Sequence, residues 1–343
     1  MVKLGFLGCG FMGQGVHLPN FLANPKCQVI ALAEARRRLG HAVAARYGIP
    51  RVYSSHQELA ADPEVEAVAS ITSETLHPHI VADLLAAGKH VYIEKPLATT
   101  GAEGAALVEA AARSGVILMV GYMKRYDPGV QRARELLAEC LASGDLGRIT
   151  YARGHCFGGN WIAAFKPALL STDESAPSAE RKAPQWLPAE LRDPYCTYVN
   201  VYCHNINLLR WLLAAEPRVT HAQRCGSVVV AAMDFAGVPA VLETGHLPAH
   251  RWDESVTIFL ERGWLEVLTP PPLHPEPARV TLYRAAERHE IIEPLAEWKW
   301  SFKAEAEHFI SCVEARGQPL TPAADALQDL EVCEAVFRRL AEA

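Results

Sequence analysis

A glycine-rich loop near the start of the chain constrains the fold more than any other stretch. An apolar segment runs into Gly8, Gly10 and Gly13, which match G-x-G-x-x-G, and a helix-like segment follows. After a strand, such glycines allow a tight turn, close approach of the backbone to a pyrophosphate, and close helix–strand contact. A bare match also occurs in ordinary turns. We treat Gly8, Gly10, Phe11, Met12 and Gly13 as a candidate dinucleotide-binding loop.

An acidic residue after the second predicted strand favours this interpretation. The apolar run 27–33 ends at Glu34, about 20 positions beyond the glycines, where a carboxylate can accept hydrogen bonds from the adenosine ribose hydroxyls. Glu34 would repel a 2′-phosphate, which favours NAD. Arg36, Arg37 and Arg38 leave NADP as the alternative, because an arginine there can hold that phosphate. The same arginines would also suit the solvated start of a helix.

Residues 1–121 alternate between predicted strands and predicted helices. This alternation predicts a doubly wound, mostly parallel α/β sheet of the Rossmann type. Ligands bind such sheets at the carboxyl ends of the strands. Small, polar or charged residues collect at those predicted ends: Gly8, Glu34, Thr72, Glu94, Lys95, Gly121 and Tyr122.

Residues 122–343 have a different pattern, typical of an α+β domain with a large, mostly antiparallel open sheet. Strands are predicted at 149–157, 219–233, 240–246, 254–260, 264–268 and 280–284. The predicted helices are 127–143, 198–213, 300–316 and 323–341. The stretch 158–194 is polar and irregular. It is either a surface insertion, or a lid or arm that reaches a neighbouring subunit.

Two stretches carry residues suited to chemistry. Lys95 lies at a predicted strand end and, partly desolvated, can hydrogen-bond a substrate oxygen, although a lone lysine is more often a surface charge. Asn200, His204 and Asn207 share one face of a predicted helix that is otherwise apolar. Such a polar stripe is costly unless it lines a cleft or its members satisfy one another. Cys203 and His204 are adjacent and point apart, so we predict no metal site.

Composition excludes several classes of partner. The formal charge of -6 comes without a basic block, which argues against nucleic acid. No apolar run approaches the roughly 20 residues that span a membrane, and no signal peptide precedes the first strand. The 9 cysteines are scattered, with no C-x-x-C pair, as in proteins that keep reduced thiols. We therefore expect a cytoplasmic protein.

Taken together, these motifs resemble the glucose–fructose oxidoreductase/inositol dehydrogenase/rhizopine-catabolism (Gfo/Idh/MocA) family. The resemblance runs over nearly the whole chain. It rests on the glycine loop, the Thr72…His77 stretch, Glu94-Lys95-Pro96, the run from Gly121 to Pro128, the helix with His204 and Arg210-Trp211-Leu212, and Ser301-Phe302…Phe309.

The resemblance implies an NAD(P)-dependent dehydrogenase or reductase acting on a sugar, amino sugar, cyclitol or related polyol. It implies that Lys95 contacts the reacting oxygen, that Glu94 lies beside the nicotinamide with Thr72 and His77 in the cofactor site, and that the peptide before Pro96 is cis. It also implies that His204 is the acid/base. Tyr122, Arg125, Asn200 and Asn207 would hold substrate hydroxyls. A homodimer or homotetramer through the C-terminal sheet is expected.

The helix that carries His204 departs from the family pattern. Family members commonly have an aspartate four residues before this histidine and often another three residues after it, where this chain has Asn200 and Asn207. An amide can orient a ring but supplies no charge to stabilise an imidazolium. Two alternatives therefore stay open: an NAD-dependent glycosidase or lyase that oxidises its substrate transiently, and a non-catalytic cofactor-binding regulator.

Overall fold

The structure is a computed structural model that describes residues 1–246, 252–285 and 288–342. The chain divides into two compact units. The first unit comprises residues 1–122, 166–183 and 302–330, and the second comprises 123–165, 184–301 and 331–343. The middle of the predicted insertion and much of the C-terminal helical region therefore cluster with the N-terminal strands.

The first unit is built on a six-stranded parallel sheet, which confirms the predicted doubly wound α/β fold. The strand order is β3-β2-β1-β4-β5-β6, with the reversal beside β1 that is typical of a Rossmann sheet. Apolar residues fill both faces of the central strands, as a sheet covered by helices on both sides requires. The strands are β1 (Val2–Leu7), β2 (Cys27–Ala33), β3 (Arg51–Tyr53), β4 (Ala67–Ser70), β5 (His90–Glu94) and β6 (Leu118–Gly121).

The second unit is built on an eight-stranded sheet, which confirms the predicted large and mostly antiparallel sheet. Its order is β14-β13-β12-β11-β7-β10-β9-β8, and among the described strand pairs only β7 and β10 run parallel. The strands are β7 (Ile149–Gly158), β8 (Arg218–Cys225), β9 (Val228–Phe235), β10 (Val238–His246), β11 (Asp253–Leu260), β12 (Gly263–Leu268), β13 (Arg279–Ala285) and β14 (His289–Ile292).

Helices connect and cover these strands. A π-helical turn, Gly13–His17, follows the glycine loop, and short 3-10 turns lie at Glu74–Leu76 and Met123–Tyr126. The α-helices are α1 (Leu18–Leu22), α2 (Arg37–Tyr47), α3 (His56–Ala61), α4 (His77–Ala86), α5 (Gly101–Ser114), α6 (Pro128–Ser143), α7 (Ala189–Leu213), α8 (Ser301–Ala315) and α9 (Ala323–Glu342). In the part of the chain that the structure describes, no helix has the length and apolar character needed to cross a bilayer.

Two predicted boundaries were wrong. The single strand expected over 219–233 is a hairpin of β8 and β9, because Gly226 takes a left-handed φ of 60° and turns the chain within a run that is otherwise β-like. Helix α7 begins at Ala189, well before the predicted start at Tyr198, so Pro194 lies inside it. A proline in the second turn removes one backbone hydrogen bond, which this 25-residue helix tolerates.

Candidate active site

The three glycines of the N-terminal loop differ in the atoms that a side chain at each position would meet. Gly8 has a φ of 95°, and a Cβ there would lie 2.4 Å from the Ile71 carbonyl oxygen. A Cβ on Gly13 would lie 2.2 Å from the Gly8 carbonyl oxygen, so the helix packs directly on the loop. A Cβ on Gly10 would meet no atom within 4 Å. The open side of Gly10 leaves the backbone accessible, as the approach of a pyrophosphate requires.

Glu34, at the end of β2, is tied to this loop. Its buried carboxylate accepts a hydrogen bond from the Cys9 backbone N–H at 2.7 Å. It also accepts from the Arg36 backbone N–H at 3.0 Å and from the Arg36 guanidinium at 2.9 Å. Burial alone would raise the pKa of Glu34, but the hydrogen bonds from Arg36 and Cys9 bring it below its ordinary value. Glu34 is therefore ionised at neutral pH.

A second carboxylate, Glu94, ends β5 and pairs with a histidine that the sequence patterns did not single out. His17, at the end of the π-helical turn, is 1% exposed, and its Nε2 lies 2.6 Å from Glu94 Oε1. Its ring packs edge-on against Phe302, with 5.4 Å between ring centroids. Burial would raise the pKa of Glu94, but the bond from His17 and the charge of Lys95 lower it. The only sequence signal for His17 was a polar residue in an apolar helix start.

Lys95 follows Glu94 directly and is partly exposed. Its backbone N–H donates to Glu94 Oε2 at 3.1 Å, and the Lys95–Pro96 peptide is cis, as the family resemblance implied. His77 supports the next turn: its Nδ1–H donates to the carbonyl oxygens of Pro96 and Leu97, at 3.1 and 3.2 Å. His77 is fully buried, and burial lowers its pKa. The Thr72 hydroxyl lies 3.2 Å from that of Ser70.

The middle of the irregular insertion packs on the same unit as the glycine loop. The Gln14 side-chain amide, one residue after Gly13, forms a reciprocal pair with the Leu170 backbone: its Nε2 donates to the carbonyl at 3.0 Å and its Oε1 accepts from the N–H at 2.9 Å. Farther along, Glu174 binds the start of α2. These contacts place the middle of the insertion against the glycine loop and the start of α2 within the same unit.

In the second unit, Arg125 and Asn207 contact each other. Both side chains are buried, and the Arg125 Nε–H donates to Asn207 Oδ1 at 2.7 Å. The Arg125 guanidinium also lies 4.9 Å from the centre of the Trp211 ring. Asn200 and His204 are partly exposed on the same helix, α7. The polar stripe thus has a buried end, satisfied by Arg125, and an accessible end at Asn200 and His204.

A buried carboxylate that the sequence patterns did not single out, Glu254, binds helix α7 through Asn205. Glu254, on β11, is 0% exposed and forms a buried ion pair with Lys124. The Asn205 amide, adjacent to His204, donates to it at 2.5 Å. The Trp252 indole and the Thr269 hydroxyl donate at 3.0 and 2.6 Å. We call these five residues the Glu254 cluster.

The predicted site residues thus fall into two groups. The loop residues, Glu34, Thr72, His77, Glu94, Lys95 and Tyr122 belong to the first unit, whereas Arg125, Asn200, His204 and Asn207 belong to the second. Their roles stay predictions. In the described ranges, no three His, Cys, Asp or Glu side chains are arranged to hold a metal ion.

Residues 2–122 match the family model GFO_IDH_MocA, described as an oxidoreductase family with an NAD-binding Rossmann fold. An oxidoreductase of Rhizobium meliloti is 32% identical over 154 residues, which is 45% of each chain. The chain therefore matches less than half of the length of that relative. The inositol 2-dehydrogenase of Rhizobium meliloti (strain 1021) is 22% identical over 99% of this chain and 97% of its own.

Solved structures have the same overall fold. A levoglucosan dehydrogenase in complex with NADH and levoglucosan superposes with a TM-score of 0.76 at 20% identity. The match covers 99% of this chain and 97% of that chain. This likeness extends the fold assignment from the N-terminal strands to the full length, including the eight-stranded sheet.

Proposed function

We propose that the chain is a member of the Gfo/Idh/MocA family of NAD-binding oxidoreductases, whose model matches residues 2–122, and that it is a dehydrogenase or reductase of a sugar, cyclitol or related polyol. The observation that carries the proposal is the loop at Gly10, whose open backbone face lies in a strand–loop–helix unit that ends at the ionised Glu34. Relatives named for inositol and levoglucosan oxidation indicate the substrate class.

The first unit would hold the cofactor. Backbone N–H groups beyond Gly10 would bind the pyrophosphate, and Glu34 would accept hydrogen bonds from the adenosine ribose. When bound, NAD supplies the nicotinamide carbon that accepts or gives a hydride. Glu94 is the last residue of β5, and the hydrogen bond from the buried His17 holds its partly exposed carboxylate in one position.

Lys95 and His204 handle the substrate oxygen and the proton. The Lys95 ammonium hydrogen-bonds the hydroxyl that becomes a carbonyl and stabilises the negative charge that develops on its oxygen. His204 accepts the proton of this hydroxyl when the substrate is oxidised, and donates a proton to the oxygen when the carbonyl is reduced. Asn200, one helical turn before His204, donates to or accepts from a neighbouring substrate hydroxyl. Because Asn200 supplies no charge, the proton transfer depends more on Lys95 than it would beside an aspartate.

Substitution of Lys95 by methionine tests this function. Lys95→Met keeps the length of the side chain and removes its charge, so we expect unchanged NAD binding and a loss of turnover of at least about 100-fold. Binding is measured by calorimetry, and turnover by the NADH absorbance band with a panel of sugars and cyclitols. Lys3→Met, on an exposed lysine of the same unit, is the matched control.

Near-wild-type turnover in Lys95→Met would show that Lys95 has no part in the chemistry. Release of an alcohol from a glycoside, with no net change in NADH, would instead indicate the transient-oxidation mechanism. Failure of the wild-type protein to bind either NAD or NADP would refute the proposed function altogether.

A further inference from the structure

The first turn of α2 is capped by a side chain from a distant part of the sequence. Residue Arg36, which precedes the helix, provides no side-chain cap. Instead, Glu174 accepts the backbone N–H of Arg38 through Oε1 and that of Leu39 through Oε2, both at 3.1 Å. The Thr172 hydroxyl donates to Glu174 Oε2 at 2.9 Å and orients it. Glu174 therefore fills the position where the free N–H groups of an 11-residue helix attract an anion.

The same turn lies against Glu34. A Cβ on Gly40, in the first turn and a half of α2, would lie 3.1 Å from Glu34 Cβ. Glu34 and the start of α2 thus form one surface at the carboxyl end of β2. In a Rossmann unit this surface faces the 2′ position of the adenosine ribose, which carries a hydroxyl in NAD and a phosphate in NADP.

Carboxylates also occupy Arg36 and Arg38, two of the three arginines that could bind a 2′-phosphate. Arg36 is engaged by Glu34, with both Nε and Nη2 donating at 2.9 Å. Arg38 forms ion pairs with Asp173 and with Glu174. The Asp173–Arg38 pair is exposed, at 80% and 64%, so its contribution is small. Glu174 is less exposed and bonds the backbone as well, so it carries the larger effect.

We propose that Glu174, assisted by Asp173, selects NAD over NADP by occupying the start of α2 and neutralising Arg38. This inference rests on the proposed function, since it concerns the same cofactor site. A 2′-phosphate would have to displace a carboxylate from two backbone N–H groups, and would also meet the negative charge of Glu34. The 2′-hydroxyl of NAD requires neither change. The discrimination thus uses a repulsive element supplied by the insertion, in addition to Glu34.

Binding of NAD and NADP to the full-length protein tests the inference without reference to turnover. Dissociation constants are measured by calorimetry for the wild type, Glu174→Gln and Glu174→Ala. Gln keeps an acceptor oxygen without the charge, and Ala opens both N–H groups. Glu180→Gln removes the same charge from an exposed side chain of the same segment and is the matched control.

We expect the wild type to bind NAD more tightly than NADP. The ratio of the NADP to the NAD dissociation constant should fall at least about tenfold in Glu174→Ala, less in Glu174→Gln, and not in Glu180→Gln. Raised salt should reduce the gain, because a phosphate–arginine attraction is screened.

A wild type that prefers NADP, or an unchanged ratio in both Glu174 variants with normal NAD binding, would overturn the inference and leave the proposed function standing. If the wild type binds neither dinucleotide, the proposed function fails and the inference fails with it.

Discussion

Glu34 and Glu254 are both buried carboxylates with several hydrogen-bond donors, but the two units use them differently. Around Glu254 the donors come from four separate stretches of the second unit, and its cation, Lys124, is itself buried. Around Glu34 the donors come from two neighbouring stretches of the first unit, and its cation, Arg36, is partly exposed. One carboxylate is enclosed by its partners, whereas the other lies between a closed interior and the open loop at Gly10.

The difference separates a structural cluster from a binding surface. A buried ion pair whose partners are all protein groups fixes the packing of its elements, here α7 on the eight-stranded sheet. Glu34 is also buried, but it bonds the backbone of Cys9, next to the open Gly10, and its cation Arg36 is partly exposed, so it lies at the edge of the proposed cofactor site. We therefore expect substitutions in the Glu254 cluster to change mainly stability, and substitutions at Gly10 and Glu34 to affect stability less and to change binding as well.

Removal of the Glu254 carboxylate should have the largest effect. Glu254→Ala leaves the Lys124 ammonium buried without its partner and also removes the acceptor of Asn205, Trp252 and Thr269. Breaking a buried ion pair on one side costs about 3–5 kcal/mol. Urea denaturation followed by tryptophan fluorescence measures the loss.

Asp253→Asn provides the matched control on the adjacent residue of β11. The Asp253 side chain is 54% exposed and bonds His155 at 3.0 Å, so we expect less than about 1 kcal/mol. Equal losses at the two positions would remove the distinction between an enclosed cluster and a surface pair.

Two substitutions in the glycine loop sharpen the comparison inside the first unit. In Gly13→Ala the new methyl group collides with the Gly8 carbonyl oxygen, which should lower the free energy of unfolding by about 1–3 kcal/mol. In Gly10→Ala it enters open space, so stability should be unchanged. The NAD dissociation constant should nevertheless rise at least about tenfold, or 1.4 kcal/mol, because the methyl group stands where the pyrophosphate approaches.

Thermal unfolding and NAD titration of both variants measure these effects. Gly10→Ala with normal NAD affinity would contradict the assignment of the loop as the pyrophosphate site. Gly13→Ala with normal stability would show that the helix moves away from the loop easily.

Features that depend on neighbouring residues could be predicted from the sequence. A strand, a tight turn and a helix within one short stretch predicted the glycine loop, and alternating strands and helices predicted the parallel sheet. Both signals are largely local: Gly8 takes a left-handed φ, and Gly13 lies against the carbonyl of Gly8. Boundaries were less predictable: Gly226 lies between two β-like stretches that together were interpreted as one strand, and its left-handed φ was not anticipated.

Features that join distant parts of the chain could not be predicted. Glu174 bonds Arg38 across 136 positions, and Lys124 pairs with Glu254 across 130. An exposed-looking acid in a polar insertion, or a lone acid in a strand, has no sequence signature for its partner. The pairing of Arg125 with Asn207 was missed for the same reason: both were interpreted as substrate contacts because their mutual contact requires the fold.

The smallest effect we predict concerns the charge of Glu34, and it depends on pH. Glu34→Gln weakens the bonds to Arg36 and to the Cys9 N–H, which should cost about 1–2 kcal/mol at pH 7. Because the pKa of Glu34 is below its ordinary value in the folded protein, its ionised form stabilises the fold above the unfolded-state pKa of about 4.3. That stabilisation is lost as the pH falls through the folded-state pKa.

The difference between wild type and Glu34→Gln should therefore be full at pH 7 and shrink progressively below about pH 4.3. Urea denaturation at a series of pH values measures it, with Glu180→Gln as the exposed control. A difference that persists unchanged at the lowest pH would mean that Glu34 acts by shape and not by charge. In that case Glu34 would not behave as a charged group, and the repulsion of a 2′-phosphate would fall to Glu174 and Asp173 alone.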